Sequence, residues 1–121
     1  MPDILVVDDD DVIRETLFEL LSTEYSCQTA DTAEEALAKL QTQRFDVVLT
    51  DISMPGLSGM ELLTRVVELY PGTPVIIISG LSDQDQAQSL IALGAFDYLL
   101  KPFRLEVVEE SVRRAVDKSK P

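Results

Sequence analysis

The chain has 121 residues, with 22 acidic side chains, 10 basic ones, no histidine and a formal net charge of −12. That length suits a single domain, and 45% hydrophobic with 26% charged residues marks a folded rather than a disordered chain. The charge argues against a general binder of phosphate backbones. The lack of histidine removes histidine-based zinc sites, Ser-His-Asp triads and any phosphohistidine carried by this chain.

Five short apolar, β-rich runs recur, at residues 4–8, 26–30, 45–50, 74–79 and 96–100. Helical periodicity fills the gaps. Ile13, Leu17, Leu20 and Leu21 share one face of the first predicted helix; Ala33, Leu37 and Leu40 do so in the second. Leu62, Val66, Leu69 and Tyr70 mark the third, Ala87, Leu90, Ile91 and Gly94 the fourth, and Leu105, Val108, Val112 and Val116 the fifth. Capping boxes are expected at Thr32 with Glu35 and at Ser58 with Glu61, and a weaker one at Ser82 with Asp85. Gly94 suits a left-handed helix stop. Strand and helix alternate five times with short connections, the pattern of a doubly wound α/β parallel sheet with helices on both faces. Residues 1–121 read as one domain, with a frayed tail from about 118.

The acidity is uneven: residues 1–100 hold 18 acidic and 4 basic side chains, whereas residues 101–121 hold 4 and 6. Cys27 is alone, so no internal disulfide is possible. The aliphatic run at 75–78 is too short to cross a bilayer, and Met1-Pro2-Asp3 does not open a secretory signal. A cytoplasmic domain is the expectation, with no membrane and no direct nucleic-acid contact.

Ligands in open α/β sheets bind at the carboxyl ends of the strands. The residues there are Asp8, Asp9, Asp10 and Asp11 after the first run, Asp51 after the third, Ser79 at the end of the fourth, and Lys101 after the fifth. Asp10 or Asp11 reads as the cap of the first helix. Asp8 and Asp9 emerge directly from a buried strand, and Asp51 ends a strand that should lie alongside it. Close carboxylates repel by on the order of 4 kcal/mol per pair at 4 Å and an effective dielectric near 20. One lysine does not balance three of them, whereas a divalent cation does, and Mg²⁺ accepts carboxylates, waters and phosphate oxygens together. An acidic cradle, an isolated strand-end aspartate, a hydroxyl and a lysine suit phosphoryl transfer, with Asp51 as nucleophile.

Four segments carry a resemblance: Leu5-Val6-Val7-Asp8-Asp9-Asp10, the stretch from Asp46 to Gly59 around Thr50-Asp51-Ile52-Ser53-Met54-Pro55-Gly56, Ile77-Ile78-Ser79-Gly80, and Tyr98-Leu99-Leu100-Lys101-Pro102-Phe103. In that order they resemble the receiver domains of two-component response regulators, over nearly the whole chain. The resemblance implies a flavodoxin-like (βα)5 sheet of strand order 2-1-3-4-5. It implies Asp51 as phosphoacceptor and Asp9, with Asp8 acting largely through water, at Mg²⁺. It further implies a backbone carbonyl of Ser53 on the metal, Ser79 as switch hydroxyl, Lys101 on the phosphoryl group through a cis Lys101-Pro102 peptide, and Tyr98 as switch aromatic. Read from the sequence alone, Tyr98 is equally a core aromatic. Ser79 stands where threonine is common and Gly80 where alanine is usual; Ser53 and Leu81 occupy positions that tune phosphate lifetime.

The implied function is a phosphorylation switch rather than an enzyme. The implied partners are a sensor histidine kinase, a fused or separate output domain, and a second copy through helix 4, strand 5 and helix 5. Residues 6–12 also fit the start of haloacid-dehalogenase-type phosphatases, with Asp8 as nucleophile and Asp10 as acid/base; this plan leaves Asp51 unexplained. A non-phosphorylated pseudo-receiver that only binds other proteins is a second alternative. An FMN-binding flavodoxin fits poorly, because the first loop is acidic where a phosphate cradle is needed.

Overall fold

Strands buried on both faces need apolar side chains in both directions, and the central runs supply them. The computed structural model describes residues 1–52, 59–80 and 84–119. Strands β1 (Asp3–Val7), β2 (Ser26–Ala30), β3 (Val47–Asp51), β4 (Val75–Ser79) and β5 (Asp97–Leu100) form one parallel sheet in the order β2-β1-β3-β4-β5. Helices α1 (Asp11–Leu21), α2 (Ala33–Thr42), α3 (Gly59–Leu69), α4 (Gln84–Ala92) and α5 (Leu105–Ser119) alternate with them.

Successive strand residues point to opposite faces, and two apolar layers result. Ile4, Val6, Val47, Leu49, Ile76 and Ile78 pack with Leu17 and Leu21 of α1 and with Val108, Val112, Ala115 and Val116 of α5. Leu5, Val7, Val48, Val75 and Ile77 pack on the other side with residues of α2, α3 and α4. Each fully buried aliphatic side chain here contributes roughly 1.5–3 kcal/mol relative to exposure. The chain passes from β1 to one side for β2 and then crosses to the other side for β3. The topological switch point therefore lies between β1 and β3, where Asp8 and Asp51 stand.

The strand limits differ from expectation by one or two residues. β1 ends at Val7, where its pairing with both Ala30 and Thr50 ends, so Asp8 stands just beyond the sheet. β3 starts two residues late and continues through Asp51, which still pairs with Ile78 of β4. β4 and β5 start one residue late, at Val75 and Asp97.

Helix caps follow from side-chain chemistry. Asp10, rather than Asp11, caps α1: its Oδ1 accepts from the backbone N–H of Val12 at 2.9 Å and of Ile13 at 3.2 Å. Thr32 caps α2 by accepting from the Glu35 N–H at 3.1 Å. Ser58 and Ser82 lie outside the described residues, as does the Ala87 side chain. Gly94 has φ 114°, and a Cβ there would meet Val67 Cγ2 at 2.9 Å, so both backbone and space call for glycine.

Three large apolar residues of the expected helix faces are exposed instead. Leu69 closes α3 and Leu105 opens α5, so each has helix on one side only; Leu63 takes a core place in α3. Ile91 turns about 100° away from the buried Leu90. At the carboxyl end, Lys118 and Ser119 are still helical. Lys118 lies 5.3 Å from the Phe96 ring centre, and Arg44 donates to the Ser119 carbonyl at 3.3 Å. No helix among the described residues is long and apolar enough to cross a membrane.

Candidate functional site

The alternation that builds the core also sorts the polar residues at the carboxyl edge. Asp51 continues the face of Val47 and Leu49; Asp8, one step past β1, continues that of Ile4 and Val6. Lys101 continues the face of Leu99. Ser79 and Tyr98 fall on the opposite face, that of Ile77.

Three carboxylates converge. One oxygen each from Asp8, Asp9 and Asp51 lies within 4.8 Å of the others. Asp8 is 0% and Asp51 6% exposed, while Asp9 is exposed to solvent. Lys101 Nζ reaches Asp8 Oδ2 at 3.5 Å and Asp51 Oδ2 at 3.4 Å. Its backbone N–H donates to the Ser79 carbonyl at 2.7 Å, and the Lys101-Pro102 peptide is cis. Ser79, at the end of β4, is buried. Tyr98 packs against the α2–α4 core layer, with its hydroxyl buried and unpaired among the described residues. Ser53 lies outside the described residues.

The electrostatics are unbalanced. Burial pushes the Asp8 carboxyl above its ordinary value; the Asp10 N–H, donating to Oδ1 at 2.9 Å, opposes this, Asp51 adds to it, and Lys101 opposes it in turn. Asp8 Oδ2 is buried with no hydrogen-bond partner among the described residues. A buried oxygen whose cationic neighbour among the described residues is Lys101 at 3.5 Å, inside three carboxylates, fits a hard divalent cation with oxygen ligands. Asp8, Asp9 and Asp51 are the residues that could hold it.

The Asp10 carboxylate is not among the clustered three; its Oδ1 caps α1 instead. Three other residues belong to the site although the sequence reading gives them no role there. Arg14 donates from Nη1 to the Asp8 carbonyl at 2.8 Å and pairs with Asp11 through Nη2. Thr50, fully buried, donates its hydroxyl to the Asp51 carbonyl at 3.0 Å. Gly59 packs so closely that a Cβ would stand 2.1 Å from the Asp51 carbonyl oxygen. The spacing of Arg14, three residues after Asp11, was the one available signal, and it reads equally as a surface ion pair.

A groove of about 580 Å³ opens beside the cluster between α1 and the segment after β5. Val12, Ile13, Thr16, Pro102, Phe103 and Leu105 line it, and Val12 is 72% exposed.

A family model described as the response regulator receiver domain matches residues 4–113. The chain is 42% identical, over 93% of its length, to the DNA-binding transcriptional regulator NtrC of Salmonella typhimurium. It spans about a quarter of the length of the curated relatives it matches, 24% for that one. Among solved structures, a response regulator receiver domain protein from Clostridium thermocellum is similar at TM-score 0.91 and 33% identity, covering 98% of this chain and 96% of that one. Chemotaxis response regulator CheY4 of Vibrio cholerae is similar at TM-score 0.88 and 34% identity, covering 95% and 98%.

Proposed function

The chain belongs to the response regulator receiver domain family, and from that premise we propose that it is a phosphoacceptor switch working through Asp51. The chain has no histidine, so a phosphohistidine donor lies outside these 121 residues: that of a sensor histidine kinase, or a small phosphodonor in its place. An Asp51 carboxylate oxygen attacks phosphorus in line, the bond from phosphorus to the donor's imidazole nitrogen breaks, and the imidazole leaves with the electron pair. The product is an acyl phosphate on Asp51.

Asp8, Asp9 and Asp51, with the Ser53 carbonyl, would hold Mg²⁺. When bound, the ion neutralises charge on the phosphoryl oxygens. Lys101, already 3.4 Å from Asp51, supplies the second positive charge, and the Ser79 hydroxyl donates to a phosphoryl oxygen. Drawing Ser79 and Lys101 to the phosphoryl group, with Tyr98 following, biases a two-state equilibrium on the surface of α4, β5 and α5. The domain is a switch and not a turnover enzyme, assisting only its own phosphorylation and dephosphorylation.

The apolar groove that Lys101 lines gives a protein donor its footing, which suits a kinase. The output is a fused domain or a separate partner; the NtrC relative is named a DNA-binding transcriptional regulator, and control of transcription is the output proposed. The α4–β5–α5 face, with Ile91, Leu100 and Val107 exposed, is the proposed pairing surface for a second copy, and a cytoplasmic setting is proposed.

The observation that carries this reading is Asp51 at the switch point, 6% exposed, sharing one lysine with Asp8. Incubation with acetyl phosphate and Mg²⁺, followed by intact-mass measurement, should show one phosphoryl adduct. No adduct, or one that needs no Mg²⁺, would refute it. The phosphatase plan gains no support, because Asp10 is occupied as a helix cap.

A further inference from the structure

We propose that Arg14 is a positioning residue for the cation site: it fixes the peptide plane from which Asp8 and Asp9 both project. The inference rests on the metal reading above and concerns a side chain that does not touch the ion.

Arg14 sits in the first turns of α1, next to exposed Val12 and Glu15, yet its own side chain is only 17% exposed. The guanidinium turns back over the loop. Nη1 donates to the Asp8 carbonyl at 2.8 Å, and Nη2 pairs with Asp11. One planar fork thus ties the loop to the helix that follows it, a geometry arginine supplies and lysine does not.

The Asp8 carbonyl belongs to the peptide unit that joins Asp8 to Asp9. Its orientation therefore sets where both carboxylates start. From the other side, the Asp10 N–H holds Asp8 Oδ1 at 2.9 Å while the Asp10 carboxylate caps α1. The loop thus carries consecutive like charges that gain by splaying apart. Arg14 opposes that splaying at its backbone. Asp11 offsets the guanidinium charge, so the loop is held with little added repulsion toward a cation.

Charge and positioning predict opposite signs, which makes the inference testable. Removing a nearby positive charge by itself tightens the binding of a cation. Removing a group that positions the ligands loosens it, and outer-shell partners of metal ligands are typically worth about 10- to 100-fold in affinity.

The experiment is a Mg²⁺ titration of ¹⁵N-labelled protein followed by amide shifts, without a phosphodonor. Wild type, Arg14→Gln and Arg14→Lys are compared at a temperature where thermal unfolding shows each folded. Both variants should bind Mg²⁺ at least about 10-fold more weakly than wild type. The acetyl phosphate reaction should in turn need about 10-fold more Mg²⁺ to reach half its maximal rate in both variants. Equal or tighter binding by Arg14→Gln, or full recovery by Arg14→Lys, would overturn the positioning role while leaving the metal reading intact. A wild-type chain that takes no Mg²⁺ would overturn both.

Discussion

The two ends of the sheet treat a buried or half-buried aspartate in opposite ways. At the amino edge, Asp46 is fully engaged: Oδ2 accepts from the Asp3 N–H at 2.7 Å, and Oδ1 from Arg44 at 3.1 Å. Arg44 reaches on to the Ser119 carbonyl, and the network closes β1, β3 and α5 together. At the carboxyl edge, Asp8 is more deeply buried, shares its single lysine with Asp51, and keeps one oxygen without a hydrogen bond among the described residues. The first arrangement stabilises the fold. The second costs stability that a ligand can return, which is where a switch domain should hold its strain.

Breaking the carboxyl edge at its centre has the largest expected effect. Asp51→Asn should abolish the phosphoryl adduct in the mass measurement, since an amide is no nucleophile here, while Asp46→Asn should leave the adduct unchanged. Next comes the close approach behind Asp51. Gly59→Ala should destabilise the fold by about 3 kcal/mol in urea unfolding, because the new methyl must push the Asp51 carbonyl or α3 aside.

The sharpest contrast is one substitution made at both edges. Asp8→Asn should stabilise the metal-free protein near neutral pH by roughly 1–3 kcal/mol, by removing a buried charge that lacks full compensation. Asp46→Asn should destabilise it by about 1 kcal/mol, the value of its hydrogen bonds. The pH dependence follows. Asp8 is raised in the folded state above its ordinary 3.8, so the folded chain binds the extra proton and this group's cost appears as pH rises. The stability gap between Asp8→Asn and wild type should therefore be absent well below 3.8. It should open as pH climbs through the folded value and stay open above it. A gap largest in acid would contradict the burial of Asp8.

The groove offers a smaller, selective effect. Val12→Glu should slow phosphoryl transfer from a cognate histidine kinase several-fold and leave transfer from acetyl phosphate unchanged, as a charge in the apolar lining repels only a donor that docks there.

Much of this was legible in the sequence, for physical reasons. Asp8, Asp51 and Lys101 are visible because a charge directly after an apolar run has few structural alternatives. The parallel sheet is visible in runs such as residues 4–7 and 75–78, apolar in both directions. Arg14 is not visible, because a charge on an amphipathic helix normally faces water, and only the fold brings it back over Asp8. Thr50 reads as an ordinary strand former. Gly59 follows the expected cap Ser58, and its close approach to the Asp51 carbonyl shows only in the fold. Leu69 and Leu105 fit the helical period yet lie outside the core, since period alone does not say where a helix outruns its sheet.

The most direct test is chemical location of the phosphoryl group. Protein treated with acetyl phosphate and Mg²⁺ is reduced with borohydride, which converts an aspartyl phosphate to homoserine, and is then mapped by peptide mass spectrometry. Homoserine at position 51 alone is the predicted result. Aspartate unchanged at 51, or homoserine at 8 or 9 instead, would contradict the assignment of Asp51 as the acceptor.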